Sequence, residues 1–555
     1  MLLTIFGNYL ILLCIFGYSY FIKKFFLEKQ KNFLVENLDF FYGFLFTIFL
    51  SLLLNFFFPL KYFTIPVIFI GLIFFLSGLK RNKFKLNFLF YFIILFFISA
   101  ISYYGRNNID SPMYHLQIIN WINLNKINFG ISNLGIRLGF NSSWHSFLGL
   151  LNLTLETYSA KYYLSSIIFA FSFYEAIRNK FIINVSNIFL YLFICYLLLF
   201  SYLHPIYYGV ILNHFGNPER DIVTMFLYFI SFYIFIKIFE KNDTKVKIKL
   251  TNILLISTFI CVSARITTIL IFLLPMYVII KNRYYKILIN FTSLFVILTG
   301  IIWIIRSFIL SGCLLFPIEQ TCFSTPWSVD METLSYMVDE AKRYTRTLPY
   351  LNNLGDYDYS LNSFDWLKPW IRDYLFTTAL LQINLGIIII VSLFLIAKQI
   401  IGNFLNLNKF KLESHEIFII LVLLLSIMLW MSTPEIRYAW GLHFVIPCFM
   451  LSILLKNSFF NFLKKFNRKF YLLNLSLILI LFLSKNISVF KIEDFASIPN
   501  RVHDFSKIRK VGTFEGIDIF YNHWKCADFK GVCVNIPNED YKIEKKYSYV
   551  FFKKN

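Results

Sequence analysis

The sequence predicts an all-α polytopic membrane protein. Three observations carry that prediction. Hydrophobic residues make up 58% of the chain. The apolar runs, such as 40–58, 287–305 and 376–397, match the ~20 residues that a helix needs to cross a ~30 Å hydrocarbon core. The basic residues sit in short breaks between these runs, which is the positive-inside pattern. Nothing alternates with the period of two that a membrane barrel requires.

Read in order, the runs give about 14 spans. They lie near 3–22, 40–58, 63–79, 87–104, 157–176, 184–203, 222–239, 250–264, 266–280, 287–305, 376–397, 416–431, 438–455 and 470–485. The first has no basic segment before it and is long enough to span, so it reads as a retained helix and not a cleaved signal. The two segments flanking Arg265 are short enough to be half-helices of a re-entrant hairpin. Alternate loops hold about 26 Lys and Arg residues, among them Lys23, Lys24, Lys80, Arg81, Lys245, Lys247, Lys464 and Lys465, which assigns those loops to the cytoplasm. The bundle is then 1–485, with outer loops 105–156, 204–221, 306–375 and 432–437. The remainder, 486–555, reads as a small extracytoplasmic tail with hairpin character at 513–521 and a further strand at 547–552.

The net charge of +22 is spread over membrane anchors, not gathered in a patch, which argues against a nucleic-acid partner. The 69 Phe residues read as lipid-facing bulk. No Gly-rich phosphate loop and no zinc-spaced Cys/His set is present, so no cofactor is identified, and a divalent metal is open but not indicated.

Chemistry is expected in the outer loops. The first begins Asp110-Ser111-Pro112-Met113-Tyr114-His115-Leu116-Gln117 directly after a span. A carboxylate there, beside Tyr114 and His115, is placed to act as a general base. It is equally suited to cap a helix that starts with Pro112. From 116 to 127 the apolar spacing suggests an amphipathic helix lying on the membrane. Arg137, between Gly135 and Gly139, is a candidate anion ligand, and its loop is otherwise an interfacial segment anchored by Trp144. The second loop offers His214, Glu219 and Asp221 as sugar or metal contacts, or as helix caps. Glu219 and Asp221 are two residues apart and diverge on a regular helix.

Arg265 interrupts an apolar run, where a charge is either functional or snorkelling to the interface. Arg306 and Arg437 stand at outer span ends. Arginine matches phosphate bidentately, so the three together are candidates to hold a lipid-linked phosphate, while each alone is equally an anchor. Four cysteines fall in spans. The other four form two close pairs in the outer segments, Cys313/Cys322 and Cys526/Cys533, and local disulfides are the simplest reading.

Four segments carry a resemblance: Asp110–Gln117 as quoted, Arg137-Leu138-Gly139-Phe140-Asn141-Ser142, Arg306-Ser307-Phe308-Ile309-Leu310-Ser311-Gly312 and Pro434-Glu435-Ile436-Arg437-Tyr438. They resemble a family of bacterial multi-pass membrane proteins whose layout is similar to GT-C class membrane glycosyltransferases. The resemblance spans about 100–440. It implies a GT-C-like helical bundle in the bacterial plasma membrane, a polyprenyl-phosphate-linked sugar donor, and a glycan, lipid or protein acceptor of the cell envelope. It also implies inversion at the anomeric carbon, with Asp110 at the position of the catalytic acid residue. The chain departs from better-known members by an extra early span and by lacking an acidic pair in the first loop.

Two other activities fit parts of this pattern. A polysaccharide polymerase or ligase would depend on arginines and a histidine. A lipid or solute transporter would show internal repeats and mid-bilayer charges, whereas the polar residues here cluster outside the spans.

Overall fold

The computed structural model describes residues 2–27, 33–103, 110–155, 158–178, 184–203, 216–347, 364–375, 378–404 and 412–458, and five short strands between 509 and 554. The architecture is predominantly helical. The principal helices are α1 (Leu2–Ile22), α2 (Phe40–Phe57), α3 (Thr64–Lys80), α4 (Phe88–Tyr103), α5 (Leu116–Leu124), α6 (Ser143–Leu150), α7 (Ser165–Arg178) and α8 (Val185–Leu203). They continue with α9 (Arg220–Phe239), α10 (Thr244–Ala264), α11 (Leu273–Lys281), α12 (Phe291–Ser311), α13 (Met331–Thr347), α14 (Ala379–Phe404), α15 (Ser414–Trp430) and α16 (Trp440–Ser458). Among the described residues, six helical stretches are long and apolar enough to cross a membrane, at Leu2–Leu27, Asn37–Phe57, Arg220–Phe239, Thr244–Ala264, Phe291–Ser311 and Ile436–Leu455. Six further apolar helical stretches have 10–17 residues. The span expected at 470–485 lies outside the described residues.

Close packing rests on small residues, as bundles in lipid require. A Cβ on Gly17 of α1 would lie 1.9 Å from the Gly71 carbonyl oxygen of α3, and one on Gly43 of α2 would lie 2.0 Å from that of Ile15. α1 therefore meets α2 and α3 backbone to backbone. In the other half α9 packs against α10, α8 and α16, and α14 packs against α16. α12 ends at Gly312, whose φ of +79° lets its N–H reach the Phe308 carbonyl at 2.7 Å.

Three sequence expectations are corrected. The segments flanking Arg265 are not a pair of half-helices: α10 is a whole span of 21 residues, and only the second segment is broken, into a 3-10 stretch Ile266–Phe272 and α11. Arg265 sits at the join in extended backbone. The expected surface helix after residue 116 is not on the surface. In α5, Leu116 through Ile122 are all buried, polar Gln117 and Asn120 among them, because Asn120 accepts from Lys161 Nζ at 3.1 Å inside the protein. The span expected over 157–176 is shorter, since two two-residue strands, β1 (Thr154–Leu155) and β2 (Tyr158–Ser159), turn the chain before α7.

Beyond 508, β3 (Arg509–Phe514) pairs antiparallel with β4 (Ile517–Tyr521), which pairs parallel with β5 (Val532–Val534). β6 (Tyr541–Lys546) and β7 (Tyr549–Lys554) form a separate antiparallel pair.

Paired charges, most of them buried, collect at two ends of the bundle. At one end, Lys23 binds Asp39 at 2.8 Å, Lys249 binds Glu36 at 2.9 Å, and Lys237 binds Glu175 at 2.9 Å. The other end is reached by following α9 back from Lys237 to Asp221, roughly 24 Å along the axis. That separation approaches the ~30 Å of a bilayer core, so the two groups of charges act independently.

Candidate functional site

The site is built where α9 and α16 begin and α10 ends. Arg265 closes α10 and forms an ion pair with Asp221 in the first turn of α9. Its guanidinium also lies 4.5 Å from the centroid of the Tyr438 ring. The segment before α16 brings Arg437, which donates from Nη1 to Asp110 Oδ2 at 2.9 Å and from Nε to Glu435 Oε1 at 3.1 Å. Glu435 is buried, and burial raises its carboxyl pKa, with Arg437 opposing the shift. Of the two carboxylates on Arg437, that of Asp110 is the more accessible, at 24% against 6%.

Asp110 is held by its own strand of chain. Ser111, the next residue, donates to Asn217 and to Glu219 Oε1 at 3.0 Å, tying the first polar segment to the one that precedes α9. The helix begins with one π-type turn, Ser111–His115, and runs directly into α5. The Asp110 side chain makes no capping bond to it. The cap reading is thus replaced by the ion pair with Arg437. Glu219 and Asp221 do diverge, one toward Ser111 and one toward Arg265.

Behind Asp110 lies a histidine pair. His115 Nδ1 and His145 Nε2 are 2.9 Å apart, and both are fully enclosed. Burial holds both well below the usual imidazole range. Nearby arginines push the same way: Arg220, Arg265 and Arg437 on His115, and Arg220 and Arg306 on His145. One ring nitrogen donates to the other across this contact, and the depressed pKa of both rings favours their neutral forms. The Tyr114 ring lies against His115, tilted by 39° with centroids 4.1 Å apart, and burial raises its phenol pKa.

Arg306 is different from the other arginines. It is 3% exposed and is held by Asn141 Oδ1 at 2.8 Å and Asn55 Oδ1 at 3.2 Å. Its Nε has no hydrogen-bond partner, and it forms no ion pair among the described residues. Arg137 lies at the rim, 3.8 Å from Glu340 of α13 and 5.7 Å from the Tyr114 ring centroid.

The structure therefore gathers Asp110, Tyr114, His115, Glu219, Asp221, Arg265 and Arg437 at one end of the bundle, with Arg137 at its edge and Arg306 deeper. Arg265 and Arg306 are buried, and Arg437 is partly exposed but engaged by two carboxylates, so all three are turned into the protein and do not snorkel. His214 lies outside the described residues.

Of the two expected disulfides, one is formed. Cys313 and Cys322 are joined, and among the described residues this is the only bridge. The expected Cys526–Cys533 bridge is not among them. Cys533 is the middle residue of β5, where its backbone stands in register with Phe520 of β4, and Cys526 lies outside the described residues.

No group of three or more His, Cys, Asp or Glu suited to a metal ion occurs among the described residues. Sequence reasoning missed Glu435, Arg220, His145 and Asn141 as site members. Glu435 and Arg220 were legible as charges adjoining chosen ones, whereas His145 and Asn141 look like ordinary loop residues until the fold brings them in.

Fold and site together define a helical membrane protein with an arginine–carboxylate cluster at one end of its bundle. Residues 1–446 match the family model described as a domain of unknown function, DUF8201. The chain belongs to that family. No curated protein and no solved structure matches it.

Proposed function

We propose that the protein is a membrane glycosyltransferase. It would transfer a sugar from a polyprenyl-phosphate donor to an envelope acceptor, with Asp110 as general base. The observation that supports this most is the pairing of an accessible carboxylate, Asp110, with internal arginines around it. Such a reaction needs a base for the acceptor hydroxyl and positive charge for the departing phosphate. Arg437 orients Asp110 and keeps a second carboxylate, Glu435, as its permanent counter-ion. When Asp110 takes up the acceptor proton, Arg437 is freed from one partner and faces the leaving group. In this reading the bundle has about 14 spans in a bacterial plasma membrane. Its site end faces outward, and 486–555 forms a small extracytoplasmic appendage.

The test is Asp110→Asn, which keeps the shape and removes the base. Transfer from a radiolabelled lipid-linked sugar, extracted from a deletion strain, should fall by ~10²–10⁴-fold. Arg437→Met should lower transfer as well, because Arg437 orients Asp110. A second reading, a polysaccharide polymerase or ligase, is favoured by Arg306 beside His145. It expects Asp110→Asn to be tolerated and Arg306→Lys to be inactive.

A further inference from the structure

Beside the ion pairs lies a pocket of different character. It is bounded by the first turns of α9, the 3-10 stretch Ile266–Phe272, the end of α15 and the start of α16. Its cavity volume is about 60 Å³ and its mouth is open, so it suits one part of a ligand, such as a single ring, and not a whole drug-sized molecule. No charged side chain lines it. Eight of its fourteen lining residues carry a hydroxyl, so it suits a neutral, hydroxyl-rich ligand better than an anion.

The hydroxyls divide into two kinds. Tyr228 donates to Ser426 at 3.0 Å, Thr268 donates to the Arg265 carbonyl at 2.8 Å, and Ser432 donates to the Leu429 carbonyl at 2.7 Å. Each keeps lone pairs for a ligand donor. Those of Thr267, Thr433 and Tyr438 make no hydrogen bond among the described residues, so they remain able to donate as well. Trp430 supplies an aromatic wall, fixed by donation from Nε1 to the Glu435 carbonyl at 2.9 Å. Leu429 lines the same pocket and is exposed, giving it an apolar border.

Tyr438 joins the pocket to the charged site. It lines the pocket, and the Arg265 guanidinium lies over its ring at 4.5 Å. A ligand with a neutral ring and an attached phosphate would meet both environments in sequence. We propose that this pocket is the subsite for the glycosyl ring of a lipid-linked sugar, with the phosphate reaching past Tyr438 toward Arg265. The assignment rests on the glycosyltransferase reading. It makes Thr267, Thr433 and Trp430 determinants of sugar recognition and leaves the chemistry to Asp110.

The test uses the full chain in nanodiscs. Native mass spectrometry measures binding of undecaprenyl phosphate, undecaprenyl-phosphate glucose and undecaprenyl-phosphate mannose. Saturation-transfer NMR reads the methyl glycosides of glucose, galactose, mannose and N-acetylglucosamine. At least one glycosyl lipid should bind about tenfold tighter than the bare lipid phosphate. Thr267→Phe should remove that gain and leave the bare lipid within about twofold. Thr267 is exposed at the pocket, so the larger side chain fills space without disturbing the core. Thr433→Val serves as the second, smaller change. If no glycosyl lipid gains over the bare lipid, or the gain survives Thr267→Phe, the subsite is overturned. The function reading would still stand if Asp110→Asn blocks transfer. If no lipid binds at all, the polyprenyl reading fails, and the methyl glycosides then decide the subsite. Saturation transfer lost in Thr267→Phe upholds it; no transfer in the wild type overturns it.

Discussion

Replacing Arg437 with Met should destabilise the protein far more than replacing both Arg437 and Glu435. Arg437 serves two carboxylates, at 2.9 Å and 3.1 Å. Asp110 is 24% exposed and can be hydrated once its partner is gone, but Glu435 is 6% exposed and cannot. Its Oε2 already lacks a partner. Stranding a buried charge in this way costs about 3–5 kcal/mol. A kilocalorie shifts the melting point of a 150–250-residue domain by ~2–4 °C, and that of a longer chain by less, so the shift should be on the order of 5–10 °C. The buried thiols of Cys14, Cys195, Cys261 and Cys448 give the assay, because a thiol-reactive dye reaches them only on unfolding. Burial raises the Glu435 pKa in the folded protein, and loss of Arg437 raises it further. A carboxyl so raised favours the folded state at low pH and loses that contribution as pH climbs through its folded value. The Arg437→Met deficit should therefore shrink as pH falls from about 8 toward 5. Glu435→Gln added to Arg437→Met should recover most of the loss. A single variant as stable as wild type, or a double variant no better than the single, would refute the claim that Glu435 needs this counter-ion.

Three further outcomes are expected. The depressed pKa values of His115 and His145 mean the unfolded chain binds their protons first, so stability should fall below pH ~6.5, and the slope should flatten in His145→Asn when melting is followed from pH 7 to 5. Reduction of the Cys313–Cys322 bridge, or Cys313→Ala with Cys322→Ala, should remove ~2.7 kcal/mol from a closed loop of about ten residues, read as a lower melting point; no change would show that the loop is held by its packing alone. Cys313→Ser leaves a partly exposed Cys322, which a membrane-impermeant maleimide should label in intact cells if this end faces outward, with labelling only after lysis as the opposite result.

Legibility in the sequence followed the physics of each feature. Long apolar helices such as α2, α9, α10 and α12 were readable because a span is specified by one local property, its hydropathy over about 20 residues. The Cys313–Cys322 pair was readable because its partners are close in sequence. Burial of α5 was not, because an amphipathic pattern reports a polar face without saying what that face meets; here it meets Lys161 and other internal groups rather than water. The arginines were legible one by one, since a charge beside a span demands a reason. Their partners were not, because Arg437 and Asp110 are 327 residues apart and Arg265 and Asp221 are 44 apart. The sequence also suggested a cap for Asp110, and the fold supplied a guanidinium instead, an ion pair outcompeting a local bond to backbone.

The pairing has a consequence for how an anion would be held. Arg265 and Arg437 are each already matched by carboxylates, Asp221 for one, Asp110 and Glu435 for the other. A phosphate arriving among them adds negative charge to a cluster that is close to neutral, so binding requires one of those pairs to loosen. Arg306 needs no such exchange. Its contacts are amide oxygens of Asn141 and Asn55, which carry no net charge, and its Nε is unpartnered. Its positive charge is thus felt by the neighbouring His145 and helps keep that imidazole unprotonated. The site accordingly separates two kinds of arginine: a pair that hold carboxylates in position, and one deeper cation that biases the local potential toward anions without first releasing a counter-ion. On this argument Arg306→Met should weaken phosphate binding while sparing the geometry of Asp110, whereas Arg437→Met should disturb Asp110 first.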